Sequence, residues 1–414
     1  MRSKLLATAI AASLGISGLA FAGHAAAATK QPTVTAEQFA QLQAQLAQLQ
    51  AQVDALKAQA AEQQAQADAQ SEVNVAQAQA IETTQKTQAT VDKLAKLVND
   101  TKIGGRMFFD VSNINQKNHG DKTDASGTGF DVKRFYLTVD HKFDDIWSAN
   151  LTTDFQYLSA IGNTEVFVKK AYVQGKFDDA FVLRVGASDM PWIPFAEKFY
   201  GLRYVENTLT DRLSYGTSSD WGAHASGDFA GGAANYQVSV VNGRGYRNFS
   251  RSKGVDVEAR VGFAPMENMI IAVGGYSGKR GQETENIDPP QTANRVDAMV
   301  AYAAPSGLRV GAEWFQAKNW AVVNVHDDKA EGWSVWGSVP LTKTGINAFA
   351  RYDKADLSKE IDPSLENKYF NLGVEFPVTK GFKVAAVYKD TKNDNDTTID
   401  LHTKEFGLWG DVAF

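Results

Sequence analysis

The 414-residue chain contains no cysteine, which excludes a disulfide framework and thiolate metal sites. Its six histidines are scattered, and it has no Gly-x-Ser-x-Gly, His-Glu-x-x-His or phosphate-binding glycine-loop pattern. We therefore expect no enzyme activity, no catalytic residues, no metal and no cofactor. The net charge of −6 is mild and argues against nucleic acid as a partner.

Long apolar runs are also missing, except for one at the start of the chain. Residues 5–22 are apolar, follow Arg2 and Lys4, and end in small residues. This pattern predicts a signal peptide over residues 1–28, with cleavage after Ala22 to Ala28. A transmembrane anchor is the alternative, although the run is short for the roughly 20 residues of a spanning helix. An exported, glycine-rich chain with 11% aromatic residues suits a Gram-negative outer membrane.

The following segment lacks proline, glycine and tryptophan and is rich in alanine and glutamine from residue 35 to about 99. Its apolar residues recur at alternating spacings of three and four, which predicts a heptad seam. The seam begins with Phe39, Leu42, Leu46, Leu49, Val53 and Leu56. We interpret residues 29–100 as a coiled coil in the periplasm. A lone solvated helix is the alternative.

Residues 101–414 are instead rich in glycine, aromatic and β-branched residues. Sixteen segments alternate between apolar and polar residues, the first centred near Phe109 and the last near Leu408. A period of two places one set on each face of a strand. Tight turns such as 264–268 and Pro377–Gly381 alternate with long polar connections such as 113–129, and the last strand ends on an aromatic residue. The pattern predicts an all-β membrane protein, a 16-stranded antiparallel transmembrane β-barrel preceded by the N-terminal helical coiled coil. A soluble β-sandwich is the alternative.

One long connection is unusually apolar. Residues 189–219, between the fifth and sixth predicted strands, carry two prolines and many aromatic residues. Because water disfavours such a surface, we expect this loop to fold inward and to form the constriction of the channel. The alternative is that it contacts neighbouring subunits.

The same stretch carries a family resemblance. The residues that carry it are Gly186, Pro191, Pro194-Phe195, Glu197, Arg212 and the Ser-Ser-Asp-Trp-Gly sequence at 218–222. With the signal, the helical lead-in and the terminal phenylalanine, the chain resembles the phosphate-selective porin O/P family. The resemblance implies an outer-membrane homotrimer whose pores pass phosphate, polyphosphate or other small anions by means of inward arginines and lysines.

Charges that face the lumen set the ion preference of such a pore. The predicted lumen face carries equal numbers of basic and acidic residues, so the wall as a whole indicates no preference. Same-strand neighbours such as Arg295/Asp297 and Arg351/Asp353 are expected to offset each other.

Candidate pore and anion-binding residues are therefore sought on the wall of strands 1 to 5 and 15 and in the long loop. They are Arg106, Arg134, Lys170, Arg184, Lys198, Arg203, Arg212, Lys383 and Lys389. Arg212 is the strongest of them, because arginine can bind phosphate oxygens through two hydrogen bonds. A structural ion pair is the alternative role for each.

The leading hypothesis is passive diffusion of small anions such as phosphate through a water-filled channel in the outer membrane. The alternative is a general or carbohydrate-accepting porin in which loop aromatics such as Trp192, Tyr200 and Tyr204 stack on sugars. A different class is a structural or adhesive protein, in which the barrel only anchors the coil.

Overall fold

A computed structural model describes residues 35–158, 163–283, 291–320 and 327–414. The predicted signal peptide lies outside the described residues. The chain divides into two compact units between Thr90 and Val91. Among the described helices, none combines the length and the apolar character that crossing a bilayer requires.

Helix α1 covers Ala36–Asp100 and runs unbroken for 65 residues, since the segment contains no proline or glycine to interrupt it. It buries none of its residues. The predicted seam lies at the surface, with Phe39 60% and Leu46 59% exposed. Within one described chain the seam has no partner, so the coiled coil stays a prediction.

Sixteen barrel strands follow, and each predicted centre lies inside one of them. They are β1 (Thr101–Asn118), β2 (Gly127–Lys142), β3 (Trp147–Leu158), β4 (Asn163–Lys176), β5 (Val182–Asp189), β6 (Ser219–Phe229), β7 (Ala234–Val241), β8 (Asp256–Phe263), β9 (Met269–Gly278), β10 (Ala293–Ala303), β11 (Arg309–Lys318), β12 (Lys329–Pro340), β13 (Asn347–Asp356), β14 (Glu366–Thr379), β15 (Phe382–Asp394) and β16 (Asp400–Ala413). A two-residue strand, Asp121–Lys122, extends the hairpin between β1 and β2.

The strands form one closed sheet. Each pairs antiparallel with its neighbours along the chain, and β1 also pairs with β16, from Arg106 opposite Ala413 to Asn118 opposite Leu401. Phe414 completes this seam: its N–H donates to the Gly105 carbonyl at 3.0 Å, and the Gly105 N–H donates to the Phe414 carbonyl at 2.9 Å. The predicted closed 16-stranded antiparallel barrel is confirmed.

The barrel exposes apolar side chains on its outer face and buries charged side chains inside, the opposite of a soluble protein. Val185 and Leu372 on the outer face are 57% and 52% exposed, whereas Asp154, Arg295 and Asp353 are at most 1% exposed. A soluble sandwich would bury the apolar set and expose the charged one. An apolar exterior of this extent is instead suited to lipid, so the β-sandwich alternative is wrong.

Several strand ends differ from the prediction. Residues 113–118, predicted as loop, continue β1 and pair with β16. Polar side chains do not prevent this pairing, because the ladder is made by the backbone. Pro377, predicted to begin a turn, lies inside β14 beside a register shift between Pro377 and Thr379. A bulge is one of the few places in a sheet that tolerates the missing N–H of proline.

Gly186 in β5 is expected to be essential for the pairing of β4 with β5. Its φ is +125°, and a Cβ there would lie 2.1 Å from the Ala171 carbonyl oxygen. We expect Gly186→Ala to lower the free energy of unfolding by about 2 kcal/mol. Gly127→Ala is the matched control, because a Cβ at Gly127 meets no atom within 4 Å. Denaturant unfolding of the folded barrels measures both, and equal losses would contradict the role given to Gly186.

Candidate functional site

The segment between β5 and β6 contains two short helices, α2 (Ile193–Tyr200) and α3 (Leu209–Arg212). Pro194 lies in the first turn of α2, where no helical hydrogen bond is lost, and Gly201 ends the helix with a φ of +75°. Most aromatic and aliphatic side chains of this segment are buried, Trp192 completely, whereas Phe195, Phe199 and Leu213 are partly buried. We call residues 190–218 the inner segment.

Hydrogen bonds from Trp192 hold the start of the inner segment to strands across the lumen. Its backbone N–H donates to Glu258 on β8, and its indole N–H donates to Glu313 on β11, both at 2.9 Å. Both acceptors are buried on the inward face of the barrel. The apolar loop therefore folds into the lumen, where the ring of Trp192 also closes over Gly274.

Later residues of the inner segment reach β13, β14 and β15. Tyr204 donates its hydroxyl proton to Glu375 at 2.7 Å. Arg212 donates to Asp353 at 3.0 Å, and Lys389 lies 3.3 Å from Glu206. The segment is thus anchored to β13–β15 as well as to β8 and β11, and the open space beside it is lined largely by β1–β4.

An inner cavity of about 730 Å³ occupies this space on the side of the short turns. Its acidic lining residues are Asp189 and Glu197. Its basic lining residues are Arg106, Lys169, Lys170, Lys198, Arg203, Arg309 and Lys383. The excess of positive charge that the wall lacks as a whole is therefore concentrated here.

An outer cavity of about 180 Å³ lies on the side of the long loops. Its charged lining residues are Arg134, Arg203, Asp211, Arg244 and Arg247. Arg203 and Ser218 line both cavities. We call the place where the two cavities share these residues the neck.

Tyr136 brings the cations of the neck together. Its hydroxyl oxygen accepts hydrogen bonds from Arg203 Nη1 at 2.9 Å and from Lys169 Nζ at 3.0 Å. Arg203 also forms an ion pair with Glu197. An anion in the neck would therefore meet two cationic side chains that are already fixed in position, and preorganised donors stabilise charge without further ordering.

The structure divides the nine predicted residues among several places. Six line the cavities: Arg106, Lys170, Lys198, Arg203 and Lys383 the inner cavity, and Arg134 the outer cavity, with Arg203 shared. Several of these also have acidic partners, as the structural alternative predicts. The pairs are Arg106 with Asp411 at 2.7 Å, Arg134 with Asp154 at 3.6 Å, Lys170 with Asp189 at 2.6 Å and Lys383 with Glu375 at 2.8 Å.

The other three predicted residues lie away from the neck. Arg212, expected to be the strongest candidate, pairs with Asp353 on β13 and fastens the inner segment to the wall. Lys389 is only 3% exposed and lies against Glu206 and Glu405. Arg184 donates to Gln174 at 2.8 Å. These contacts are structural ones.

Two inward-facing lysines, of which Lys169 lines the inner cavity, were not predicted because bulges interrupt the alternation. A register shift at Phe108/Phe109 turns Lys133 inward beside Arg134, and its Nζ lies 3.5 Å from Asp110. A second shift, at Thr152/Thr153, turns Lys169 inward beside Lys170. A strict period of two assigns both lysines to the lipid face. The high cost of a lysine there was the signal that could have identified the bulges.

Two carboxyl groups of the inner segment have opposite pKa shifts. Burial raises the pKa of Glu197 above its usual range, although Arg203 opposes the shift. Burial also acts on Glu206, but Lys389, Lys133, Arg212 and Arg351 outweigh it and lower its pKa to about 2. Glu206 therefore stays ionised at moderately acidic pH, whereas Glu197 gains a proton at a higher pH than Glu206 does.

Part of the barrel matches a known protein family. Residues 101–269, which include the neck, match the family described as phosphate-selective porin O and P. No curated protein matches the chain at a significant level.

Three solved structures share the barrel at low identity. The anion-selective porin of Comamonas acidovorans is 14% identical, with a TM-score of 0.52 over 76% of this chain and 99% of that chain. Pseudomonas putida OprB is 12% identical, with a TM-score of 0.56 over 78% and 96%. Vibrio cholerae OmpT in its trimer form is 12% identical, with a TM-score of 0.50 over 76% and 99%. The resemblance to the phosphate-selective porins O and P is thus confirmed over residues 101–269, and with the barrel fold it supports an outer-membrane porin channel.

Proposed function

We propose that this porin allows passive diffusion of small anions, phosphate among them, through the neck between the inner segment and β1–β4. The observation that carries the proposal is the convergence of Lys169 and Arg203 on one phenol oxygen, inside a cavity whose lining is predominantly basic. Charge interactions are stronger in such a confined site than in open water. No energy source is required, because the solute moves down its gradient.

The acidic partners of the basic lining residues favour transport of an anion over its tight binding. Asp189 and Glu197 partly neutralise Lys170 and Arg203. A permeant must bind well enough to enter and weakly enough to leave. Partial neutralisation therefore favours fast passage of small anions over long residence.

We propose a homotrimer with the helix α1 of each subunit in a periplasmic coiled coil. The exposed heptad seam of α1 supports self-association, since a long polar helix gains little burial alone. The likeness to a barrel solved in a trimer form is consistent with three copies.

The carbohydrate-accepting alternative loses most of its basis. Three of the aromatic residues expected to stack on sugars, Trp192, Tyr200 and Tyr204, are at most 1% exposed. Their faces are occupied by packing against the wall and are not available to a solute.

Planar bilayers test the proposal. With a potassium chloride gradient across single channels, we expect a reversal potential that shows anion preference, and we expect phosphate at low concentration to reduce the chloride current. Cation preference without any effect of phosphate would rule out the proposed function. Insertion without conductance steps would favour a structural protein.

Acidification is expected to increase the anion preference. Burial raises the pKa of Glu197, so this carboxyl becomes neutral before the pH has fallen to the ordinary pKa of a glutamate. Arg203 then loses its counter-charge. Glu197→Gln should show the higher preference already at pH 7. The variant should also lack the part of the pH dependence that Glu197 contributes.

Reversal potentials between pH 7 and pH 4 measure this effect. Glu206→Gln is the control, since the pKa of Glu206 is about 2 and its charge does not change in this range. The wild-type pH dependence should therefore persist in Glu206→Gln and shrink in Glu197→Gln. The reverse result would contradict the assignment.

A further inference from the structure

The hydroxyl of Tyr136 has an unusual set of neighbours. Two cationic groups, Lys169 Nζ and Arg203 Nη1, donate hydrogen bonds to its oxygen. The Lys169 ammonium also lies 4.4 Å from the centre of the Tyr136 ring. A phenol oxygen has two acceptor positions and one proton. Both acceptor positions are therefore occupied by cations, and the proton remains to be donated.

The direction of that proton follows from what surrounds the oxygen. Among the described residues, none accepts a hydrogen bond from this hydroxyl, while Tyr136 itself lines the inner cavity. The two donors line the same cavity beside Tyr136 and occupy the acceptor positions of its oxygen. The O–H is consequently left to point at whatever occupies the cavity.

The positions of Tyr136, Lys169 and Arg203 are fixed by neighbouring residues, that of Arg203 by its ion pair with Glu197. Phe108 packs edge-on against the Tyr136 ring, with centroids 6.1 Å apart and planes at 89°. Ser219 Oγ donates to the Lys169 carbonyl at 2.9 Å, which holds the bulge that turns Lys169 inward. The arrangement therefore needs little reorganisation when a solute arrives.

We propose that Tyr136 is a third anion-binding group of the neck, donating its hydroxyl proton to an oxyanion that Lys169 and Arg203 also contact. The proposal rests on the proposed function. Two cations on the phenol oxygen polarise its O–H bond and make it a stronger donor. Tyr136 also keeps two like charges together that would otherwise separate, so it both binds the anion and positions the cations that bind it.

Tyr136→Phe tests the proposal, because it keeps the ring and removes only the hydroxyl. We expect the phosphate concentration that halves the chloride current to rise by about tenfold or more, the size of effect expected for a lost hydrogen bond to a charged group. The preference for chloride over potassium should fall, because the neck has lost one anion-binding group. Tyr172→Phe is the matched control: its ring also lies beside a cation, Arg184, at 5.3 Å, but it does not line the neck.

A double-variant cycle separates the hydroxyl from a general loss of structure. In a Lys169→Met background, Tyr136→Phe should change the half-blocking phosphate concentration by less than about twofold, because the two residues act on the same anion. Equal effects in both backgrounds would overturn the joint site. An unchanged phosphate block in Tyr136→Phe would overturn the proposal outright.

The wild-type recording distinguishes the two levels of inference. If wild-type channels show neither anion preference nor phosphate block, the proposed function fails. If wild-type channels show both and Tyr136→Phe behaves like wild type, only the role of the Tyr136 hydroxyl fails.

Discussion

Replacing Lys169 with glutamate is expected to lower the chloride-over-potassium permeability ratio about tenfold, because the neck changes by two unit charges at a confined position. Lys169 is 6% exposed, and its ammonium reaches the lumen only through the bulge in β4. The introduced carboxylate would lie close to Arg203 and would neutralise the second cation as well. Reversal potentials of single channels in a salt gradient measure the ratio.

Lys176→Glu is the matched control for this change. Lys176 lies at the end of the same strand, is about half exposed and pairs with Asp179 at the rim of the barrel. The same change in charge there is screened by water and salt, so we expect little effect on selectivity. Equal shifts for the two variants would show that net charge, and not the neck, sets the ion preference.

Replacing Asp353 with asparagine is expected to destabilise the protein by about 4 kcal/mol. Asp353 is fully buried and accepts hydrogen bonds from Arg351 at 2.7 Å and Arg212 at 3.0 Å. Removing its charge leaves two buried guanidinium groups without their shared carboxylate. Denaturant unfolding of the folded barrel, followed by circular dichroism, measures the loss.

The same strand supplies the control. Asp356 is about a third exposed and lies 4.0 Å from Lys354 near the rim. Exposed pairs of this kind contribute less than about 1 kcal/mol, so Asp356→Asn should unfold at nearly the wild-type denaturant concentration. Since Arg212 holds the inner segment to β13, Asp353→Asn should also raise the single-channel conductance. A stable variant with unchanged conductance would falsify the anchoring role.

The barrel could be predicted from the sequence because its main signal is local. A strand that meets lipid on one face and water or polar groups on the other must alternate, and the pattern is visible within a few residues. Pairs two residues apart on one strand are equally local. Arg295 with Asp297 and Arg351 with Asp353 were expected to offset each other, and both pairs form, at 2.9 and 2.7 Å.

The neck could be predicted only in part, for two physical reasons. A bulge adds one residue to a strand, so the alternation that identifies the lumen face fails at Lys133 and Lys169. Partners across the lumen are far apart in sequence, and nothing near Arg212 indicates that Asp353 lies within reach. The apolar composition of the inner segment indicated that it would be buried, but it did not indicate which barrel strands the segment would contact.

The seam between β1 and β16 has a consequence for folding. The two strands are separated by nearly the whole barrel sequence, and their backbones pair from Gly105 with Phe414 up to Asn118 with Leu401. Contacts so distant along the chain form late, because a large loop must close before they contribute. Until then the curled sheet carries two unpaired edges that can capture other strands. A chaperone or insertion machinery that covers these edges would therefore be needed most at the last step of assembly.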